Sequence, residues 1–174
     1  SERTGSYGAL FFIDLDNFKQ INDTQGHNVG DRLLTDTARR LIESVLEEDR
    51  VGRMGGDEYV ILLENIGQDS ASAIAAAEEA AKRIGRIVGQ PYRIGDIDLR
   101  ITASTGIILF KGSQVSAEEL LKYADSAMHL AKNAGRNTIR FFDAGLQAEL
   151  EKRFELERAL QRALDENEFR LYYQ

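Results

Sequence analysis

The chain has 174 residues, of which 43% are hydrophobic and 29% charged, with a formal net charge of −7. This length supports one domain and a short extension, the acidic balance argues against a nucleic-acid-binding protein, and the absence of cysteine excludes disulfide scaffolds and zinc–thiolate sites. The sequence shows neither a membrane-spanning apolar run nor a signal peptide in its first eight residues, so we expect a cytoplasmic domain, or the cytoplasmic part of a larger sensor, without membrane contact of its own.

The first half of the chain alternates strand-like and helix-like segments. The apolar run at 8–14 predicts a buried strand, and the apolar spacing over 31–46 predicts a helix. Residues 51–54 and 58–63 predict two strands joined as a hairpin at two glycines. The alanine-rich segment 70–88 predicts a further helix.

The second half continues the alternation. Three short strands are predicted at 92–94, 97–101 and 105–110, and a closing strand at 138–142. Between them a helix is predicted over 116–132, with Ser116 and Glu119 spaced as a capping box. This order predicts an α/β fold in which a mixed sheet is flanked by helices.

The remaining residues differ in composition. Residues 145–167 are rich in charge and carry leucines at helical spacing, which predicts an amphipathic linker helix, and 169–173 resemble the beginning of a strand. We therefore divide the chain into a main domain at 1–143, a linker helix at 144–167 and the first residues of a further domain at 168–174.

Four acidic side chains stand at the end of the first strand and after the glycine pair of the hairpin: Asp14, Asp16, Asp57 and Glu58. If the hairpin lies beside the first strand, these carboxylates converge at one end of the sheet. Hard oxygen ligands suit Mg²⁺, and Gly55 and Gly56 would let a ligand approach bare backbone. The pattern favours metal-assisted phosphoryl or nucleotidyl transfer, although acidic turns at a surface are an ordinary alternative.

Two further groups could contact a nucleotide. Lys19 could meet a phosphate, and Asn22 and Asp31 could contact a purine edge, since a carboxylate accepts from the N–H groups of guanine. The alternative is a turn followed by helix caps. Lys132 and Arg136 could clamp a triphosphate, or could simply cap the end of their helix.

Three motifs together resemble the GGDEF family of diguanylate cyclases: FFIDLDNFKQINDTQGHNVGDRLL, RMGGDEYV and YADSAMHLAKNAGRN. They cover 8–142 in the family's order. The resemblance implies a palm-like, mostly antiparallel sheet of the nucleotidyl-cyclase type. The tail FELERALQRALDENEFRLYYQ is similar to the connector into an EAL phosphodiesterase domain, which implies a GGDEF–EAL tandem protein.

The resemblance also implies roles for individual residues. Asp14 and Asp57 would hold Mg²⁺ or Mn²⁺ with the Leu15 carbonyl, and Glu58 would sit beside the metal. Asp57 and Glu58 would be catalytic, with Glu58 assisting deprotonation of a ribose hydroxyl. The substrate-binding residues implied in this way are Lys19, Asn22, Asp31, Leu34, Gly55, Gly56, Lys132 and Arg136.

The implied reaction joins two GTP molecules into cyclic di-GMP and releases pyrophosphate. Each domain would hold one GTP, so a second GGDEF domain is an implied partner, as is the attached EAL domain. The alternative is a catalytically silent GTP-binding domain that regulates the EAL phosphodiesterase. A receptor for the product is disfavoured, because Leu46 stands at the arginine position of the family's inhibitory site, beside Asp49.

Two other departures from the family bear on the structure. Tyr59 replaces the phenylalanine of the motif, and its hydroxyl needs a partner if it is buried. The chain starts just before the first strand, without the family's opening helix and turn. We therefore expect weak nucleotide binding by this chain alone.

Overall fold

The computed structural model describes residues 5–112 and 115–142. The elements are β1 (Tyr7–Leu15), α1 (Phe18–Gln25), α2 (His27–Glu43), β2 (Arg50–Gly55), β3 (Glu58–Gly67), α3 (Ser70–Val88), β4 (Tyr92–Ile94), β5 (Ile97–Leu99), β6 (Ala103–Lys111), α4 (Ala117–Asn133) and β7 (Ile139–Phe141). The predicted linker helix and the strand after it lie outside the described residues. Within the described ranges, no helix is long and apolar enough to cross a membrane.

A five-stranded sheet forms the centre of the domain, in the order β2-β3-β1-β6-β7. Its pairs are antiparallel except β6 and β7, which run parallel. The strands β4 and β5 form a separate two-stranded sheet. The predicted mixed sheet flanked by helices is therefore confirmed.

The central strand β1 is buried on both faces, which explains its continuous apolar run. Leu10 and Phe12 pack with Met128 in a cluster beneath α4. Phe11 and Ile13 alternate with them, lie on the opposite face and are fully buried. Helix α4 packs closely on the sheet at Gly106, where a Cβ would collide with the backbone of α4; the absence of a side chain there permits this close contact.

The segment after β1 differs from the prediction. Residues 18–25 form helix α1, where the sequence suggested a turn with caps, and Asn17 precedes it with a left-handed φ of 60°. Helix α2 begins at His27, with Gly26 as its N-cap, and ends at Glu43. Asp31 therefore lies inside a helix, and its alternative interpretation as a helix cap is wrong. A short helix of polar residues lacks the long apolar periodicity that a sequence pattern needs.

Candidate functional site

The acidic residues of the first strand and of the hairpin are brought together by the sheet. In the β1–β3 pair, Asp14 lies directly opposite Glu58. The Leu15 N–H donates a hydrogen bond of 3.2 Å to the Asp57 carbonyl. The hairpin thus lies beside β1, and Asp14, Leu15, Asp57 and Glu58 share one end of the sheet.

Asp14 carries a charge in a buried place. Its exposed fraction is 4%, and its carboxylate forms an ion pair of 2.6 Å with Lys132 Nζ. Burial raises the pKa of Asp14, the hydrogen bond from Lys132 lowers it, and the charges of Asp57 and Glu58 raise it; the net shift is upward. The raised pKa means that burial and the neighbouring carboxylates together destabilise the charged form of Asp14 more than Lys132 stabilises it.

The donor set fits a magnesium ion that is bound mainly through substrate. Among the described residues, no three His, Asp or Glu side chains form a ready-made metal cluster. Magnesium commonly takes one or two carboxylates from the protein and its other ligands from water and substrate phosphates. Asp14 and Asp57, with the Leu15 carbonyl, would supply such a sparse set. Their unbalanced charge is the property that a divalent cation would stabilise.

The glycine turn of the hairpin is open and is held by an arginine. Gly56 has a φ of +48°, and a Cβ at Gly55 would meet no atom within 4 Å. Arg53 donates from Nε and Nη2 to the Gly56 carbonyl at 2.9 Å and 2.6 Å. The turn therefore presents backbone to solvent in a fixed shape. Arg53 was not among the predicted site residues, because its partner is a backbone atom of the turn.

Helices α1 and α2 bring the proposed base-contacting residues close together. The Asn22 Oδ1 atom is buried and has no hydrogen-bond partner among the described residues. It lies against Gly30, where a Cβ would overlap it. An unsatisfied buried acceptor costs about 1–3 kcal/mol, and rotation of the Asn22 side chain would be needed for this oxygen to meet the N–H group of a ligand. Asp31 is exposed on the next residue of α2, and Leu34 is buried.

Tyr59 has the partner that its buried hydroxyl requires. The side chain is 1% exposed, and its hydroxyl donates to the Leu34 carbonyl at 2.9 Å. Burial raises the pKa of Tyr59 to about 12, so the hydroxyl remains a donor. This bond ties β3, which begins at Glu58, to the α2 residue proposed to line the base pocket. The prediction that a buried hydroxyl would need a partner is confirmed.

The three predicted phosphate-binding cations have different surroundings. Lys132 lies in the last turn of α4, where it could simply have capped the helix. Its ammonium group instead forms an ion pair with Asp14 on β1. Arg136 and Lys19 are exposed. Arg136 stands in the turn after α4 with a left-handed φ of 65°. Of the three, the structure brings Lys132 into contact with the acidic residues.

Asp16, the fourth acidic residue of the sequence cluster, is directed elsewhere. Strand β1 ends at Leu15, so the alternation that would place Asp16 beside Asp14 does not continue. The Asp16 carboxylate accepts hydrogen bonds from Thr102 Oγ1 at 2.6 Å, Ser104 Oγ at 2.7 Å and Asn137 N at 3.0 Å. Asp16 is therefore fully engaged in hydrogen bonds within the protein.

Leu46 and Asp49, at the position of the family's inhibitory site, stabilise the connection after α2. Leu46 is 66% exposed, just after α2. The Asp49 carboxylate accepts from the Leu46 N–H at 3.0 Å and from the Glu64 N–H at 3.3 Å. Asp49 thus fastens the connection from α2 to the neighbouring strand β3.

A cavity of about 250 Å³ lies between α2 and β4. It is lined by Arg32, Thr35, Asp36, Arg93 and Ile94. None of the predicted site residues lines it, and we place the candidate site at the acidic end of the sheet, because Asp14, Asp57, Glu58 and Lys132 come together there.

The fold and the acidic hairpin are those of a known family. The family model described as "Diguanylate cyclase, GGDEF domain" matches residues 1–138, and the chain belongs to this family.

Individual relatives agree with this assignment. The chain is 40% identical over 166 residues to the bifunctional diguanylate cyclase/cyclic di-GMP phosphodiesterase MucR of Pseudomonas aeruginosa, covering 95% of this chain and 23% of that protein. It is 34% identical over 146 residues to the diguanylate cyclase DosC of Escherichia coli, covering 84% of this chain and 31% of that protein. The chain thus spans less than a third of the length of these relatives.

A solved structure shows the same fold. An EAL/GGDEF domain protein from M. capsulatus superimposes with a TM-score of 0.72 and 40% identity, covering 82% of this chain and 88% of that chain. The mostly antiparallel sheet with flanking helices is therefore the family's fold.

Proposed function

We propose that this domain is a magnesium-dependent diguanylate cyclase that joins two GTP molecules into cyclic di-GMP. The observation that carries the proposal is the juxtaposition of buried Asp14 with Asp57 and Glu58, at a pKa raised by burial and by like charge. Such a place is arranged to hold a cation and the phosphates attached to it.

The chain's own residues would divide the work of binding. Asp14, Asp57 and the Leu15 carbonyl would hold Mg²⁺, which when bound polarises phosphate oxygens. Lys132, already 2.6 Å from Asp14, is placed to contact a phosphate bound beside that carboxylate. Arg136, with its fork of donors, would bind the triphosphate further out.

The guanine base would lie between α1 and α2. The Asn22 side-chain oxygen, now buried against Gly30, would rotate to accept from a base N–H, and the Asp31 carboxylate would accept from other N–H groups of the guanine edge. Leu34 would contact the ring. Adenine carries neither an N1–H nor a 2-amino group, so it lacks the adjacent donors of the guanine edge that this pair of acceptors would bind.

In the chemical step, a ribose hydroxyl of one GTP would attack the α-phosphate of the other. The new phosphodiester forms as the bond to pyrophosphate breaks, and the hydroxyl proton leaves to a base. Glu58, directly opposite Asp14 and half-buried, is the residue placed to take that proton. The step must occur twice, once in each direction, so two domains, each loaded with one GTP, have to face each other.

The test uses a dimerised form of the chain with GTP and Mg²⁺, and identifies products by mass. We expect cyclic di-GMP and pyrophosphate in a ratio of one to two. A matched Asp57→Ala variant should give neither. A dimer that binds GTP and yields no cyclic di-GMP would exclude the cyclase function.

That outcome would favour the second candidate, a GTP-binding domain that regulates an attached EAL phosphodiesterase. Two relatives that are 34% and 35% identical to this chain are named as cyclic di-GMP phosphodiesterases, which supports considering it. In that case phosphodiesterase activity of a protein containing both domains should respond to GTP, and Asp57→Ala should remove the response.

A further inference from the structure

We propose that Asp16 is a positioning residue which holds the Arg136 turn in the shape that binds the triphosphate. This inference rests on the proposed function, and it concerns a carboxylate whose oxygens already accept from three donors of the protein. Asp16 is 4% exposed and lies two residues after Asp14.

The turn that Asp16 holds has an unfavourable backbone. Gly135, Arg136 and Asn137 have φ values of 110°, 65° and 46°. Glycine adopts such angles readily and asparagine tolerates them, but Arg136 does so at a cost. A non-glycine left-handed turn persists only where surrounding contacts fix it.

The contacts that fix this turn come from two sources. The end of α4 supplies its carbonyls, since the Arg136 N–H donates to the Ala131 carbonyl at 3.2 Å and the Gly135 N–H to the Lys132 carbonyl at 3.3 Å. The Asn137 N–H instead donates to Asp16 Oδ2 at 3.0 Å. Asp16 therefore joins the far side of the turn to the end of β1.

The Asp16 carboxylate is itself held rigidly. Thr102 and Ser104, just before and within β6, donate their hydroxyls to its two oxygens at 2.6 Å and 2.7 Å. The Asp16 N–H donates to the Thr102 carbonyl at 2.8 Å. Because Ser104 lies directly opposite Asp14 in the β1–β6 pair, the same strands carry the metal ligand and the support of the turn.

This arrangement links the two halves of the triphosphate site. Asp14 would hold the metal, and Asp16 fixes the backbone from which Arg136 reaches the phosphates. Arg136 is exposed, so its position depends on the backbone of its turn more than on packing of its side chain. Small displacements of a positioned charge are sufficient to lose most of its effect.

The experiment measures how much more tightly the chain binds a guanosine triphosphate than guanosine alone. We would titrate the full chain in the presence of Mg²⁺ with guanosine and with a GTP analogue lacking the attacking ribose hydroxyl, by NMR, which reads weak binding. Asp16→Ala should reduce the affinity for the analogue about tenfold, the effect of one charge-assisted hydrogen bond, and leave the affinity for guanosine unchanged. Asp16→Asn should recover most of the loss, because its amide oxygen can still accept from Asn137 N.

A double-mutant cycle with Arg136→Ala separates positioning from general damage. If Asp16 acts through Arg136, the double variant binds the analogue no more weakly than Arg136→Ala alone. Additive losses would overturn the inference, as would an Asp16→Asn variant as defective as Asp16→Ala, which indicates direct metal ligation. If Asp16→Ala does not fold, the double variant Thr102→Val/Ser104→Ala, which removes two hydrogen bonds to the same carboxylate, replaces it in the cycle with Arg136→Ala. Losses that are not additive would again support the inference, and additive losses would overturn it.

Asp69→Ala is the matched control. Asp69 is also a hydrogen-bonded aspartate, the N-cap of α3 that accepts from Ser72 N at 2.9 Å, and it lies in another part of the sequence. Its loss should lower the melting temperature without changing the gain in affinity from the triphosphate. If the wild-type chain binds the GTP analogue no more tightly than guanosine, the proposed function itself is contradicted. If the wild type binds the analogue more tightly and Asp16→Ala does so to the same extent, only the role of Asp16 is contradicted.

Discussion

Two aspartates at the end of β1 are equally buried and have opposite surroundings. Asp14 and Asp16 are each 4% exposed. Asp14 has one cationic partner, Lys132, and the like charges of Asp57 and Glu58. Asp16 has three hydrogen-bond donors.

The difference distinguishes a carboxylate that could bind a ligand from one that stabilises the fold. A buried carboxylate with three donors is satisfied by the protein and stabilises its fold. A buried carboxylate beside other carboxylates retains a demand for positive charge, which a metal ion meets. Burial alone does not distinguish the two; the identity of the neighbours does.

The largest effect should follow from Asp57→Ala. Loss of a metal ligand removes several kcal/mol of transition-state stabilisation, so cyclase turnover in a dimerised form should fall at least about a hundredfold. Initial rates of pyrophosphate release would measure it, with Asp69→Ala as a control of similar charge change. Turnover at the wild-type level would show that the acidic end is not the metal site.

Dimerisation should have the next largest effect. The 174-residue chain alone is expected to be almost inactive, because two loaded sites must meet and free encounter is rare at low concentration. Fusion to a coiled coil should raise the rate per domain by roughly a hundredfold through effective concentration. The two forms would be compared at the same low protein concentration, and equal rates would contradict the two-domain reaction.

Choice of base should have a smaller effect, at the α1–α2 end of the site. GTP should bind about tenfold or more tightly than ATP, since ATP leaves the Asn22 and Asp31 acceptors unpaired. Asn22→Ala should remove most of this preference while retaining the contribution of the phosphates. Calorimetry with Mg²⁺ measures both nucleotides, and equal affinities in the wild type would contradict guanine recognition here.

Asp14→Asn should stabilise the protein while removing metal binding. Burial and the neighbouring carboxylates raise the pKa of Asp14 above 3.8 despite the opposing effect of Lys132, so the folded state holds this proton more tightly than the unfolded state. The charged form therefore costs stability at neutral pH, and the cost disappears as the pH falls through the folded pKa. The variant should melt a few degrees higher at pH 7 in the presence of a chelator, with the difference shrinking towards pH 4. A lower melting temperature at pH 7 would mean that the Lys132 pair dominates.

Asp49→Ala should give the smallest effect on function. The Asp49 carboxylate, like that of Asp16, is engaged within the protein: it accepts from two backbone N–H groups, so its loss should cost about 1 kcal/mol of stability. Because Leu46 lacks the guanidinium that would bind phosphate or guanine, product inhibition should be weak in the wild type and unchanged in this variant. Tight cyclic di-GMP binding that Asp49→Ala abolishes would contradict this.

The sequence by itself determined the elements whose signals are local. Helix α3 has the predicted bounds of 70–88, and the capping box of Ser116 and Glu119 is present at the start of α4. Helical periodicity and caps depend on residues three or four positions apart, so a single sequence contains them. The glycine pair also predicted the hairpin of β2 and β3, although the turn is shifted by one residue: Gly55 ends β2 and pairs with Glu58, so the turn consists of Gly56 and Asp57.

Only the tertiary structure decided what each polar group meets. Asp14 and Asp16 look alike in the sequence, and their roles diverge because β1 ends between them and because Lys132, Thr102, Ser104 and Asn137 arrive from distant segments. The Tyr59 partner, the Leu34 carbonyl, likewise comes from another element. Such pairings follow from strand register and helix packing, which depend on the whole core and not on the spacing of nearby residues.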